Sequence, residues 1–551
     1  MCSATWDDRQ RANLRNPILS MTKPIAIVDL FSGPGGLGEG FSAARDKMGG
    51  RRYQIDISVE KEASAHKTLR LRAFLRRFSE FPAEYYTWLA GKITEPHWHK
   101  LYPLEWEAAE DEALYLELGT PETARILDER IRTIRAEHGG RTLLIGGPPC
   151  QAYSLVGRAR NVGNAGYKAD LDHRNFLYDE YVKVLTALSP AAFVMENVKG
   201  MLSATGRGSA IFSQVMADLR AAGGPAAYEL FALSGSSALL PGSQPRPQDF
   251  IVRAEDHGAP QARHRVIILG LRRDVVDVLP KHLLPQLVRR NDPVTVSMVL
   301  GAMPRMRSGL SKADDAAAWK GAFCNALALV EASLDGLSQP HKTAFRQELG
   351  RVKQEVQALA ARGRSGLGGV SLPNDCPADL RNWLRDPSLS QLPQNDTRGH
   401  MPSDLARYLF AACYGRVFAV SPKAADFPAA LAPNHRNWKT GKFNDRFRVQ
   451  LEGRPSSTVT SHIAKDGHYF IHPDPSQCRS LTVREAARLQ TFPDNYAFLG
   501  NRTQQYVQVG NAVPPFLAWQ IANLILPIFE HLDAGSRHDA VAAGNALVQA
   551  S

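Results

Sequence analysis

One cysteine of this chain stands where a nucleophile would be expected. Cys150 lies in the turn Gly146–Gln151, directly after the apolar run Thr142–Ile145. The apolar run predicts a buried strand, and the two prolines before the cysteine restrict the backbone of the turn. Because open α/β sheets bind their ligands at the carboxyl ends of the strands, we expect Cys150 to be an exposed and activated thiolate.

A carboxylate and two arginines stand beside other predicted strands. Glu196 begins the segment Glu-Asn-Val after the run Ala191–Met195, and Arg263 and Arg265 lead into the run Arg265–Leu269. Alternate residues of an extended chain share a face, so we predict that both arginines point at one anionic or electron-rich group. The carboxylate is a candidate general acid.

A glycine-rich segment, Asp29–Gly38, follows the first predicted strand and precedes a helical pattern. Glycines allow a tight turn and a close approach of the backbone to a ligand, which is typical of nucleotide-type cofactor loops. Glu60 ends the next strand, where a carboxylate can accept hydrogen bonds from ribose hydroxyls. No Lys-Ser or Lys-Thr pair follows the glycines, so the segment is not a phosphate-binding P-loop.

These motifs lie on strands that alternate with helical patterns, which predicts an α/β fold. We expect a Rossmann-like, doubly wound and mostly parallel sheet, with a second, smaller domain after it. The predicted strands are Ile25–Phe31, Tyr53–Val59, Thr142–Ile145, Ala191–Met195 and Arg265–Leu269.

The pattern changes along the chain, and its changes predict the domain organisation. Helical patterns cover Ala316–Leu334 and Thr343–Ala361; later, a capping box at Thr482–Glu485 opens the helix Arg484–Pro493, and a last helix begins near Gly510–Pro515. The predicted units are a polar lead-in (1–24), a catalytic domain (25–270) with a helical insertion at about 61–140, a basic domain (271–455) with a helical insert at 311–362, a segment that completes the catalytic domain (456–535) and a tail (536–551).

Positive charge is concentrated in one of these units. Residues 271–455 contain 27 Lys and Arg against 17 Asp and Glu, whereas the whole chain has a net charge of +11. A surplus confined to one third of the chain predicts a lobe that binds a polyanion such as nucleic acid.

The remaining composition excludes several classes of protein. The six cysteines are far apart and form no Cys-x-x-Cys pair, so neither a disulfide framework nor a metal site is predicted. The N-terminus is polar, and no run of about 18 uncharged apolar residues occurs. We expect a cytoplasmic, nucleoid-associated bacterial protein, monomeric and with no membrane partner.

Taken together and in this order, the motifs resemble those of the DNA cytosine-5 methyltransferase family. The resemblance covers about 25–270 and 454–526. The matching segments are Asp29–Gly38, Pro148–Gln151, Glu196–Val198, Gln261–Arg265, Arg484–Pro493 and Gly510–Val513.

The resemblance implies a role for each residue of the catalytic motifs. Cys150 would add to carbon 6 of a cytosine that has left the double helix. Glu196 would hydrogen-bond or protonate ring N3, while Arg263 and Arg265 would hold the carbonyl oxygen of the base.

S-adenosyl-L-methionine is the cofactor that the resemblance implies. The family usually has an Asp after the third strand for the adenine amino group. The nearest candidate here, Gly91-Lys92-Ile93, has lysine instead, so that contact stays unassigned. The carried-over cofactor contacts are Phe31, Gly33, Gly35, Leu37, Glu60, Pro148, Leu177, Asn511 and Val513.

The partner that the resemblance implies is double-stranded DNA, in a restriction-modification system with a cognate endonuclease or in a phage-defence or regulatory role. Alternatives are a transfer-RNA cytosine-5 methyltransferase and a non-catalytic DNA-binding regulator. In the family, the segment here at 271–455 selects the target sequence, and arginine and asparagine suit base recognition. The candidate DNA contacts are Gln151, Ser154, Arg398, Arg436, Asn437, Lys439, Arg446 and Arg448.

Overall fold

The computed structural model describes residues 23–149, 176–202, 208–234, 245–359, 371–434, 438 and 445–549. Its strands are β1 (Ile25–Leu30), β2 (Tyr53–Glu60), β3 (Ala113–Tyr115), β4 (Thr142–Gly146), β5 (Ala192–Val198), β6 (Tyr228–Ala232), β7 (Ile251–Arg253), β8 (Gln261–Ala262), β9 (His264–Arg272), β10 (Gly309–Leu310), β11 (Gly399–His400) and β12 (Ser456–Ser457).

The α-helices of the described residues fall into three groups along the chain. The first group is α1 (Gly36–Ala43), α2 (Ala63–Leu75), α3 (Ala83–Leu89), α4 (Trp98–Leu101), α5 (Pro103–Glu112), α6 (Pro121–His138), α7 (Phe176–Leu188), α8 (Gly208–Ala221) and α9 (Arg273–Val278). The second group is α10 (Val296–Leu300), α11 (Ala316–Ala332), α12 (Gln339–Leu359), α13 (Ala378–Leu384) and α14 (Pro402–Phe418). The third group is α15 (Val483–Leu489), α16 (Arg502–Asn511) and α17 (Pro515–Gln549).

The main sheet has the order β3-β2-β1-β4-β5-β9-β6, and β7 pairs with β9. The strands from β3 to β5 run parallel, whereas β9 is antiparallel to β5, β6 and β7. Every residue of β1 is buried, as expected for a central strand that is covered on both faces. This arrangement confirms the predicted Rossmann-like, mostly parallel sheet.

Two hydrophobic cores cover the faces of this sheet. Ile25 and Ile27 of β1 pack with α1 and α17 on one face, while Ala26 and Val28 pack with α6, α7 and α8 on the other. The alternation of side chains along the strand decides which core each residue joins. Because β1, β2 and β4 run parallel, their carboxyl ends lie at the same edge of the sheet.

The predicted insertion after β2 is mostly helical, as expected, but it also contains β3. This short strand adds to the outer edge of the sheet, where Ser58 pairs with Ala113 and Glu60 with Tyr115. Its three residues are too few to show an alternating pattern in the sequence, so only the pairing with β2 reveals them.

A third core belongs to a helical lobe, which we define by its core residues between Leu310 and Leu359 and between Leu405 and Cys478. The two helices predicted for the insert are present as α11 and α12, and they pack with α14. The segments Val294–Met303 and Leu372–Leu392 pack instead in a fourth core with α15, α16 and the start of α17. Part of the basic segment thus packs with the C-terminal helices and not with the helical lobe.

The C-terminal segment returns to the sheet. Thr482 and Glu485 form the predicted capping box of α15, which ends at Leu489, before the predicted end at Pro493. Helix α17 packs on α1 and continues through the predicted tail to Gln549. The stretch Arg502–Gly535, which covers α16 and the first part of α17, is long and apolar enough to cross a membrane, but 72% of its most apolar part is buried inside the protein.

Candidate active site

A cavity of about 580 Å³ opens at the carboxyl ends of β1, β2, β4 and β5. We call it the sheet-end cavity. It is lined by parts of the glycine-rich segment, the residues before Cys150, the Glu-Asn-Val segment and both arginines. Its lining residues are Phe31, Gly33, Pro34, Val59, Glu60, Lys61, Glu62, Ala65, Leu116, Leu118, Gly147, Pro148, Pro149, Leu177, Glu196, Asn197, Val198, Arg263, Arg265, Thr460, Ser461, Val507, Gln508, Gly510 and Asn511.

The glycine-rich segment curls over the end of β1. Gly35 precedes α1 with φ of 97°, a backbone conformation that favours glycine. The next residue, Gly36, lies against the backbone carbonyl of Val513, where an added Cβ would clash. The segment therefore needs glycine for conformation at one position and for close packing at the next.

Glu60 is held at the rim of the cavity by the backbone. Its Oε2 accepts a hydrogen bond of 2.8 Å from the amide of Gly33, and its Oε1 accepts one of 2.7 Å from the amide of Glu62. Burial raises the pKa of the Glu60 carboxyl above its ordinary value, against the opposing effect of these amides. Each carboxylate oxygen has a second lone pair for a ligand hydroxyl.

Six of the nine predicted cofactor contacts line the sheet-end cavity: Phe31, Gly33, Glu60, Pro148, Leu177 and Asn511. Gly35, Leu37 and Val513 are not among the lining residues. Leu37 and Val513 belong to the core beneath the glycine-rich segment, and Gly35 packs toward Leu69 and Tyr496. These three residues position the glycine-rich segment through their packing.

The sequence pattern did not reveal β3, the strand beside β2. The segment Gly91–Ile93, named above as the nearest candidate for the adenine contact, follows α3, whereas Leu116 and Leu118 follow β3 on the cavity wall. Between them, Glu117 forms an ion pair of 3.0 Å with Lys61. The sequence left this part of the site unassigned because the helical insertion separates β2 from the strand beside it by about fifty residues.

The turn that carries the cysteine is described as far as Pro149. The Asn197 side-chain amide donates a hydrogen bond of 3.0 Å to the carbonyl of Pro148. A Cβ added to Gly147 would lie 3.0 Å from Oε2 of Glu196, so this glycine brings the backbone next to the carboxylate. Cys150, together with Gln151 and Ser154, lies outside the described residues.

Glu196 forms an ion pair with Arg265, with Oε1 2.8 Å from Nε. We expected Glu196 to follow a strand, but β5 continues through it because residues 192–198 pair with β9 in antiparallel register. Glu196 stands opposite Ile267, and Arg265 stands opposite Val198, so the two charged residues are diagonal neighbours. Both side chains are about 15% exposed and line the sheet-end cavity.

Arg263 and Arg265 both line the sheet-end cavity, but their hydrogen-bond partners differ. The guanidinium of Arg263 donates hydrogen bonds to the backbone carbonyls of Val459 (2.8 Å), Ala512 (2.7 Å) and Gly510 (3.4 Å). Arg263 falls between β8 and β9, so the alternation of a continuous strand does not apply to it. Burial, and then the charge of Arg265, lower the pKa of Arg263.

The three described candidates for DNA contact already have partners inside the protein. Arg398 donates to the carbonyls of Ile463 (2.9 Å) and Lys465 (3.2 Å) and stacks on the ring of Tyr506. Arg446 pairs with Asp466 at 3.1 Å, and Arg448 pairs with Asp445. Arg436, Asn437 and Lys439 lie outside the described residues.

Sequence reasoning missed Thr460 and Ser461, which line the sheet-end cavity where a short 3-10 helix, Ser461–Ala464, begins. The amide of Val459 donates a hydrogen bond of 2.7 Å to the side chain of Gln261, and Thr458 bonds the carbonyl of Ala262 at 2.6 Å. Only this pairing of distant segments brings the residues to the cavity. Their sequence carries no local signal of that position.

Comparison with known proteins gives a consistent family. A family model described as C-5 cytosine-specific DNA methylase matches residues 123–526. The chain is 31% identical over 524 residues to the Type II methyltransferase M.Bpa9945I of Bacillus paralicheniformis, covering 91% of this chain and 98% of that protein. It is 26% identical to the Type II methyltransferase M.AgeI of Thalassovita gelatinovora, covering 70% of this chain and 82% of that protein.

The family match spans most of the chain, and the alignment with the Bacillus protein also includes the regions before it. The strand-end motifs also surround one cavity, and this arrangement agrees with the family match. The chain belongs to the C-5 cytosine-specific DNA methylase family and is a DNA cytosine-5 methyltransferase.

Proposed function

We propose that this enzyme methylates carbon 5 of a cytosine within a specific DNA sequence, with S-adenosylmethionine as the methyl donor and Cys150 as the nucleophile. The observation that carries the proposal is the Glu196–Arg265 ion pair beside the turn Gly147–Pro149, in the cavity that the glycine-rich segment also lines. A nucleotide-like cofactor and a base would then bind in the same cavity.

The residues present fit S-adenosylmethionine. The cavity volume lies in the usual range for small-molecule sites. Phe31, Leu116, Leu118 and Leu177 offer apolar walls for an adenine ring, and Glu60 offers a fixed carboxylate for ribose hydroxyls. When bound, the cofactor supplies an electrophilic methyl group carried on a sulfonium. Its amino-acid end would lie near Gly33 and Asn511.

The protein's own side chains activate the base. The Cys150 thiolate adds to carbon 6 and makes carbon 5 nucleophilic. Glu196 donates a hydrogen bond or proton to ring N3, and Arg265 both orients Glu196 and binds the base carbonyl oxygen. Once carbon 5 is methylated, its proton is lost to water, the double bond between carbons 5 and 6 re-forms, a proton given to N3 returns to Glu196, and the thiolate leaves.

The shape of the site supports base flipping. Glu196 and Arg265 are largely buried at the strand ends, where a base still stacked in a duplex could not contact them. A target cytosine would therefore have to leave the helix and enter the sheet-end cavity. Thr460 and Ser461 of the C-terminal segment also line this cavity.

Sequence selection is proposed for the basic segment 271–455, chiefly for the part that forms the helical lobe. The relatives bear Type II methyltransferase names, which supports a modification role paired with a restriction endonuclease in the cytoplasm of a bacterium. A defence or regulatory role would use the same chemistry.

A domain swap tests the assignment of sequence selection. Replacing 304–359 and 399–455 with the matching parts of a relative should transfer that relative's recognition sequence. The swap leaves 371–392, which pack in the fourth core, in place.

Bisulfite sequencing of DNA from cells that express the chain tests the proposal. We expect full methylation of cytosine at one short sequence and none with Cys150→Ala. Transfer RNA from the same cells is the control for the alternative substrate. Methylation of tRNA but not DNA, or of DNA at random cytosines, would contradict the proposal.

A further inference from the structure

Tyr496 connects the C-terminal segment to the glycine-rich segment. Its hydroxyl donates a hydrogen bond to the backbone carbonyl of Pro34, a residue that lines the sheet-end cavity. The same hydroxyl would lie 3.1 Å from a Cβ added to Gly35. Tyr496 is fully buried and more than 450 residues away in sequence from the segment that it contacts.

The tyrosine is itself held rigidly. Its backbone carbonyl accepts a hydrogen bond of 2.6 Å from Arg484 on α15. Two residues earlier, Asp494 forms an ion pair of 2.8 Å with Arg488, also on α15. All of these side chains are buried, so the turn that carries Tyr496 moves only if α15 moves.

The buried ion pair between Arg72 and Glu39 also holds the ring of Tyr496. The guanidinium of Arg72, on α2, lies 4.4 Å from the centre of the Tyr496 ring, a cation–π distance. Arg72 also pairs with Glu39 of α1, the helix that the glycine-rich segment opens, with Nε 3.2 Å from Oε2. The ring thus contacts the segment directly through Pro34 and indirectly through the helix after it.

We propose that Tyr496 is a positioning residue for cofactor binding: its hydroxyl holds the Pro34–Gly35 backbone in the conformation that accepts S-adenosylmethionine. This inference rests on the proposed cofactor. A carbonyl that loses its buried donor must find another partner or shift, and the shift would occur where the segment meets the ligand. Core packing alone would need the ring but not the hydroxyl.

The test compares two substitutions that each remove one buried hydroxyl. Tyr496→Phe loses the bond to Pro34, while Tyr53→Phe loses a bond of 2.8 Å to the carbonyl of Ala522, at the amino end of β2, away from the cavity. We expect both full-length variants to lose similar thermal stability. Affinity for S-adenosylhomocysteine, measured by calorimetry, should fall about 5- to 50-fold in Tyr496→Phe and less than about twofold in Tyr53→Phe.

Steady-state kinetics give a second reading of the same proposal. In Tyr496→Phe, KM for S-adenosylmethionine should rise by a similar factor, while kcat at saturating cofactor and KM for DNA stay near the wild-type values. A loss of kcat with unchanged KM for the cofactor would overturn the proposal. Equal S-adenosylhomocysteine affinity in Tyr496→Phe and the wild type would also overturn it.

The remaining outcomes are distinguishable. If the wild-type chain does not bind S-adenosylhomocysteine, the proposed cofactor fails and this inference fails with it. If Tyr496→Phe does not fold, Glu39→Gln takes its place, because it weakens the pair with Arg72 that fixes the ring. A selective loss of cofactor affinity in that variant supports the proposal, and unchanged affinity overturns it.

Discussion

The ion pair at the sheet-end cavity borders open space, whereas ion pairs in and beside the helical lobe join packed segments to one another. Glu196 and Arg265 pair with each other on the cavity wall. In and beside the lobe, Arg305 pairs with Asp474 and Arg416 with Glu348. A surplus of arginine in a sequence therefore does not measure the positive charge available to a ligand.

The pairing has a physical reason. A buried or half-buried guanidinium loses its hydration, so it is stable only beside a carboxylate or several carbonyls. The lobe packs three helices around one core and places several arginines at their junctions. The cavity leaves charged groups without such packing on one side, where a ligand would complete their surroundings.

The largest effect is expected at Cys150. Cys150→Ala should abolish methyl transfer, because no other group of the proposed mechanism can add to carbon 6. S-adenosylhomocysteine binding and thermal stability should be retained. DNA that contains 5-fluorocytosine should trap the wild-type chain as a covalent adduct, visible on a denaturing gel, and should not trap the variant. Methylation by Cys150→Ala would rule out the mechanism.

Glu196→Gln should slow the chemical step by about 10²–10⁴-fold, the usual range for lost acid–base assistance. The amide keeps the size of the carboxyl group and its position opposite Ile267, so folding should be little affected. Single-turnover rates at saturating DNA measure the loss. A variant with normal single-turnover rates and weakened DNA binding would place Glu196 outside the chemistry.

Substitutions of the two arginines should have different effects, one mainly on turnover and the other mainly on stability. Arg265→Met should reduce kcat by about 10²-fold or more, because a donor at the base carbonyl is lost. Arg263→Met should lower stability by about 2–4 kcal/mol, because the carbonyls of Val459 and Ala512 lose their donors. Thermal melts and turnover rates of both variants decide the point. Equal losses of turnover with unchanged melting would show that the two arginines act on one group after all.

The smallest effects are expected in the lobe. Arg446→Gln should weaken DNA binding and flatten its salt dependence by about one unit if Arg446 contacts a phosphate. Asp466→Asn should strengthen binding, because it frees Arg446 from its ion pair. Arg407→Gln is the matched control, since Arg407 pairs with Asp404 and bonds the carbonyl of Leu431. An unchanged salt slope in all three variants would place the DNA contacts elsewhere.

The sequence predicted the strand-end motifs because their signals are local. A run of buried apolar residues followed by glycines, or by two prolines and a cysteine, constrains its own backbone, and parallel strands bring their carboxyl ends to one edge. The motifs, together with the family resemblance that they carry, thus predicted a shared site for Phe31, Gly33, Glu60, Pro148 and Glu196, and all five line the sheet-end cavity. The capping box of α15 was equally local.

Tertiary structure alone decided the rest. The different partners of Arg263 and Arg265 depend on a break between β8 and β9 and on carbonyls about 200 residues away. Leu116 reaches the cavity because β3 pairs with β2 across the insertion. Tyr496 meets Pro34 because α15 fixes its turn. The residue type determines which bonds a side chain can make. The packing of the chain determines which residue, distant in sequence, becomes its partner.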